Sequence, residues 1–77
     1  MSKEHIQEAV LHSLQNYFAD LGEQKPTDVY HMVIRSVEKA IFTAVMKQAK
    51  NNQSLAAEML GINRNTLRKK LLEYKLL

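Results

Sequence analysis

Residues 52–74 read Asn-Gln-Ser-Leu-Ala-Ala-Glu-Met-Leu-Gly-Ile-Asn-Arg-Asn-Thr-Leu-Arg-Lys-Lys-Leu-Leu-Glu-Tyr. They predict two short amphipathic helices broken at Gly61. Leu55, Ala56, Met59 and Leu60 are available for burial on the first. Asn63 is a strong N-cap for the second, and Ile62 and Leu67 are spaced as a hydrophobic staple. Leu67, Leu71 and Tyr74 then form an inward stripe, so Arg64, Asn65, Arg68 and Lys69 face out. Ala57 and Gly61, four apart, are small where the two helices must approach. A helical hairpin with a tight Gly turn and a basic second helix is a helix-turn-helix arrangement.

Upstream the chain is also helical, because its only other breakers are Gly22 and Pro26. A first segment over about 2–21 can be capped by Ser2. It carries Ile6, Val10, Leu14, Tyr17, Phe18 and Leu21 at helical spacing. Thr27 is a good N-cap for the next segment, with Asp28 in its first turn. That segment, about 28–50, would span about 33 Å. Val29, Met32, Val33, Ile34, Val37, Ala40, Ile41, Ala44 and Val45 make it broadly apolar, and Tyr30 and Phe42 add bulk on other faces. Met32, Met46 and Met59 read as core fillers. A helix apolar on several sides sits inside something. The 77 residues supply too little material to cover it, which predicts an intertwined bundle of two chains. Asn51-Asn52 ends the segment, since Asn tolerates the left-handed conformation and also caps the following helix.

Charge divides unevenly. Residues 1–46 hold four cations and six anions; residues 47–77 hold seven cations and two anions. The C-terminal third is therefore net +5, which points to a polyanion partner. Arg64, Asn65 and Arg68 occupy the first turn and a half of the last helix, where helix-turn-helix proteins reach base edges. Arg can bridge guanine O6 and N7, and Asn can do the same for adenine. The backbone donors at this helix start also suit a phosphate.

Asn52-Gln53-Ser54, Ala57, Gly61 through Leu71 and Tyr74 closely resemble the C-terminus of the Fis family of bacterial nucleoid proteins. Upstream, Asn16-Tyr17-Phe18-Ala19, Leu21, Asp28-Val29-Tyr30, Val37-Glu38 and Val45-Met46 resemble that family's dimerisation helices. The resemblance implies an all-α homodimer. It also implies that residues 1–50 dimerise and 51–77 form the helix-turn-helix, within one compact domain. It implies a DNA-bending regulator in the cytoplasmic nucleoid that reads two adjacent major grooves. The centre between them is A/T-rich and read indirectly. Carried over by position, Arg64 matches the guanine reader, and Asn63 and Arg68 match residues near base edges and backbone. Asn52, Ser54, Thr66, Lys69 and Lys70 match phosphate contacts, and Lys50 matches a residue on flanking DNA.

Compared with the enteric form, the arm that activates DNA invertases is expected to be missing ahead of the first helix. Ala40 stands in place of a kinking proline, Asn65 in place of a glycine, and Leu72 and Glu73 in place of two basic residues. Because Leu72 and Glu73 replace flanking cations, less bending is expected than in the enteric form, while Ala40 is expected to leave the second helix straighter.

Other classes fit less well. The helix-turn-helix is shared with NtrC-type transcriptional activators, so a detached C-terminal domain of such a protein is the alternative. A basic membrane-surface or protein-docking helix is disfavoured by the capped turn, which fixes the helix to a scaffold. There are no cysteines, no long apolar run and no Gly-rich phosphate loop. His5, His12 and His31 lack a matched ligand set and read as solvated; Glu8 and His12 can pair at i and i+4. No enzyme activity, metal, cofactor or small-molecule ligand is expected.

Overall fold

A computed structural model describes residues 3–77. Four helices follow one another: α1 Lys3–Leu21, α2 Val29–Gln48, α3 Gln53–Leu60 and α4 Arg64–Glu73. No strand occurs among the described residues, and the fold is all-α. The expected cap at Ser2 lies outside the described residues. The chain divides into two compact units, one up to Val33 and one over Ile34–Leu77.

In the first unit α1 has no buried residue. Ile6 remains 54% exposed and Phe18 44%. Val10, Leu14, Tyr17 and Leu21 are half-buried, so the expected face is only partly covered within one chain. Gly22 ends the helix with φ 63°, the left-handed region that costs glycine nothing. The start of α2 differs from expectation. Asp28, not Thr27, is the residue outside the helix, with φ 54°. Its carbonyl accepts from the Met32 N–H at 3.2 Å, and its carboxylate meets His31 Nδ1 at 2.8 Å. An N-cap residue keeps non-helical dihedrals while its carbonyl takes the first intrahelical bond, and Asp28 meets both conditions.

The second unit contains the buried core. Phe42, Met46 and Ala49 of α2 and its end meet Ala56 and Ala57 of α3 and Leu67, Leu71 and Tyr74 of α4. Positions 42, 46 and 49 recur at helical spacing, so one stripe of α2 is the seat of the hairpin. Leu67 and Leu71 are completely buried. Truncating either to Ala costs about 2–5 kcal/mol by the usual cavity scale. α2 runs unbroken through Ala40.

Three helix ends in this unit close in the same way. After α3, the Gly61 N–H bonds Glu58 O at 3.2 Å and the Ile62 N–H bonds Ala57 O at 3.1 Å. After α2, the Lys50 and Asn51 N–H groups bond Lys47 O and Met46 O. After α4, the Lys75 and Leu76 N–H groups bond Leu72 O and Leu71 O. This is the Schellman pattern, which satisfies the last carbonyls and demands a left-handed residue. Gly61 takes that position with φ 72°, whereas Lys50 and Lys75 take it with φ 53° and 58°. Asn51 is also left-handed, with φ 65°, as its residue type predicts.

Candidate nucleic-acid interface

Two Asn residues start the two short helices. Asn52 Oδ1 accepts from the Leu55 N–H at 3.1 Å and caps α3. Asn63 Oδ1 accepts from the Asn65 N–H at 2.7 Å and caps α4. Each side-chain oxygen is thereby committed to the backbone, and each amide nitrogen is left for a ligand. Between them, Ala57 is buried, as expected for close helix approach. Gly61 serves a different purpose. A Cβ added there would meet nothing within 4 Å, so its positive φ, and not helix proximity, is what favours glycine. Leu55 and Met59, expected to be available for burial, are exposed; Ala56, Ala57 and half-buried Leu60 face the core instead.

Burial of Leu67, Leu71 and Tyr74 fixes the rotation of α4. Arg64, Asn65, Thr66, Arg68 and Lys69 are all exposed on its remaining surface. Asn63, Asn52, Ser54 and Lys50 are exposed as well. Among the described residues, Arg64, Arg68, Lys69 and Lys50 enter no ion pair. The result is a capped helix start with uncompensated cations around it.

Lys70 stands apart from this group. Its Nζ lies 3.4 Å from Glu38 Oε1 and 3.7 Å from Glu73 Oε2, and the side chain is only 36% exposed. Glu38 is the centre of a cluster that the sequence reading passed over. It accepts a 2.5 Å hydrogen bond from the Tyr74 hydroxyl. Arg35 sits over the Tyr74 ring, 5.4 Å from its centroid, and reaches Glu73 at 3.8 Å. The Phe42 ring lies 6.0 Å from that of Tyr74. The Tyr74 hydrogen bond lowers the pKa of the Glu38 carboxyl below its ordinary value, with Lys70 and Arg35 adding to it against the cost of burial. The same bond pushes the Tyr74 phenol up to about 12. The available signal was the helical spacing: Arg35, Glu38 and Phe42 lie three and four apart on the α2 face that holds Met46.

His12 contacts Asn16 at 3.3 Å and His31 contacts Asp28. No group of three His, Cys, Asp or Glu residues able to hold a metal occurs among the described residues. No helix there is long and apolar enough to cross a membrane.

A family model for bacterial regulatory proteins of the Fis family matches residues 33–74. This chain belongs to the Fis family. The matched span takes in α3, α4 and the stretch of α2 that seats them. A relative from Ralstonia nicotianae, described as Fis-like and DNA-binding, is 49% identical over 77 residues, the full length of both chains. A Pseudomonas aeruginosa relative described in the same way is 50% identical over 94% of this chain and 69% of its own. The DNA-binding protein Fis of Proteus mirabilis is 42% identical over 96% of this chain and 76% of its own. Fis-family membership sets the helix-turn-helix in a class of non-enzymatic bacterial regulatory proteins.

Proposed function

We propose that this Fis-family protein is a homodimeric, DNA-bending regulator of the bacterial nucleoid. The observation that carries the reading is the outer surface of α4. Arg64, Asn65, Arg68 and Lys69 are exposed and unpaired on a helix whose opposite face is completely buried. Asn63, Arg64, Asn65 and Arg68 reach base edges. Asn52, Ser54, Thr66, Lys69, Lys70 and Lys50 take phosphates; Lys70 must first release its carboxylate partners. A capped helix start presents free N–H donors and a positive dipole end, which suits the same polyanion.

The dimer reading rests on uncovered apolar surface. α1 buries nothing, and Ile6, Leu11, Phe18, Ile34 and Ile41 are exposed in the single chain. Exposed apolar groups in this number on two helices call for a partner surface, and a second copy supplies one by symmetry. Two recognition helices then read successive major grooves, about 34 Å apart in straight B-DNA. Family resemblance sets the two helices closer than that, so the duplex bends and its central minor groove narrows. A/T-rich steps accept a narrow groove most readily, which makes the bending cost sequence-dependent.

Gel-shift titrations on A/T-centred and G/C-centred duplexes at several salt concentrations test the reading, with permuted-site duplexes reporting the bend. The expected result is steeply salt-dependent binding, tighter on the A/T centre, with mobility that depends on site position. Salt-independent binding, or indifference to both centre and position, would overturn it. Sedimentation equilibrium tests the dimer separately.

A further inference from the structure

The Glu38 cluster joins the C-terminal end of α4 to α2 by polar contacts, while the middle of α4 is held by apolar packing alone. Leu67 and Leu71 fill the core and fix which face of α4 points inward. Apolar packing is non-directional, so it sets rotation better than tilt. Directional restraint comes from the far end. There Tyr74 donates to Glu38, Arg35 lies on the Tyr74 ring, and Lys70 is held by Glu38 and Glu73. Glu38 and Arg35 thus meet the Tyr74 side chain directly, and Lys70 and Glu73 pair with them. No buried side-chain polar atom is left without a hydrogen bond among the described residues, so the cluster is internally satisfied.

We infer that Glu38 and Tyr74 are positioning residues for DNA recognition. Their hydrogen bond fixes the tilt of α4 on α2, and through α2 it fixes the separation of the two recognition helices. The inference rests on the dimer reading above. The lever is long. Arg64 lies ten residues from Tyr74, about 15 Å along a helix, so a pivot of a few degrees at the latch moves the base-reading end by about 1 Å. A bidentate hydrogen-bond pair does not survive such a shift, because its distances and angles are narrow. The error also enters twice, once for each half-site. Neither residue touches DNA in this arrangement; both act through α4.

Tyr74→Phe deletes the hydroxyl and keeps the ring in the core. Glu38→Ala breaks the same contact from the α2 side without entering the core. Glu38→Gln keeps an oxygen for the Tyr74 hydroxyl and serves as the conservative rescue. Each is compared with the wild-type chain on duplexes selected by the wild type from a random-sequence pool. The selected duplexes are then re-spaced by adding or removing central base pairs one at a time, and unselected random duplex is the control. Circular dichroism and sedimentation equilibrium accompany every titration.

The expected wild-type result is a dimer whose affinity peaks at one spacing. Tyr74→Phe and Glu38→Ala flatten that peak, losing about tenfold at the preferred spacing, the weight of one base contact. Tyr74→Phe leaves binding to random duplex unchanged, Glu38→Ala, which frees Lys70, does not weaken it, and Glu38→Gln retains the peak. A folded, dimeric Tyr74→Phe or Glu38→Ala with the wild-type spacing profile would overturn the inference and leave the dimer reading intact. So would an equal loss on selected and random duplexes, which marks a purely structural role. A monomeric wild type without spacing preference would overturn both together.

Discussion

Asn63 Oδ1 accepts the Asn65 backbone N–H at 2.7 Å, so a residue proposed to reach a base edge also caps α4. Stability and the proposed contact therefore meet in one side chain, and two substitutions separate them. Asn63→Ala removes the cap and is expected to cost about 1 kcal/mol of folding stability. Asn63→Asp keeps an oxygen acceptor and adds a charge that the helix dipole favours. Its thermal midpoint is expected to hold or rise. Its affinity for every duplex is expected to fall, because the new carboxylate faces phosphates. If Asn63→Asp binds as tightly as wild type, Asn63 lies away from the DNA.

Arg64 and the two adjacent lysines divide by environment. Arg64→Ala is expected to cost about 1–3 kcal/mol of discrimination per half-site, the scale of a bidentate base contact. Lys69 is exposed and unpaired, so Lys69→Ala is expected to weaken all sequences alike and lower the salt slope by about one. Lys70 sits against Glu38 and Glu73, so Lys70→Ala is expected to lower the slope by less. Titrations over a salt series on selected and random duplexes give all three quantities. An equal loss for Arg64→Ala on both duplex types would refute its base-reading role.

The C-terminal hairpin was legible in the sequence because its signals are local. Asn52, Gly61 and Asn63 each act within four residues, and the caps and the left-handed turn fall where those residue types require them. The all-α class followed from helical spacing in the same way. Local signals did not reveal which stripe of α2 seats the hairpin. Val29, Ile41, Ala44 and Phe42 are all apolar, and only tertiary packing separates buried Phe42 from exposed Ile41 and Ala44. Glu38 was missed for a related reason. Helical spacing puts it on one face with Arg35 and Phe42 but does not name its partners Lys70 and Tyr74, which are 32 and 36 residues away. Met59 is exposed, against expectation, because α3 turns the face of Ala56, Ala57 and Leu60 to the core and leaves Leu55 and Met59 on the other.

Lys75 holds a strained position outside the proposed DNA surface. Its φ of 58° lies in the left-handed region, where a side chain with a Cβ costs about 1–2 kcal/mol relative to glycine. Lys75→Gly is therefore expected to stabilise the fold by about 1 kcal/mol, with the greater entropy of unfolded glycine taking back part of the gain. Denaturant unfolding of the two proteins at equal chain concentration measures it. A lower midpoint for Lys75→Gly would mean that the lysine side chain contributes more than its backbone strain costs.

Tyr74 and Glu38 make stability depend on pH in opposite directions. The folded-state pKa of Tyr74 is raised, from an ordinary 10.0 to about 12, chiefly by its hydrogen bond to Glu38. A group with a raised folded pKa contributes fully below its unfolded value, and that contribution disappears as pH climbs through the folded one. The Tyr74 contribution is thus complete up to about pH 10 and lost by about pH 12. Glu38 is the reverse case, because Tyr74, Lys70 and Arg35 lower its pKa below 4.5. Its contribution is present above pH 4.5 and lost as pH falls through the lowered value. The wild-type thermal midpoint is therefore expected to fall more steeply than that of Tyr74→Phe between pH 10 and 12. It is expected to fall more steeply than that of Glu38→Gln on acidification below pH 4.5. Ultraviolet titration of the phenols supplies an independent check. One phenol is expected to ionise near pH 12 in the wild type and to vanish from the curve in Tyr74→Phe. Parallel curves for wild type and both variants at each extreme would show that the Tyr74–Glu38 bond does not persist in solution.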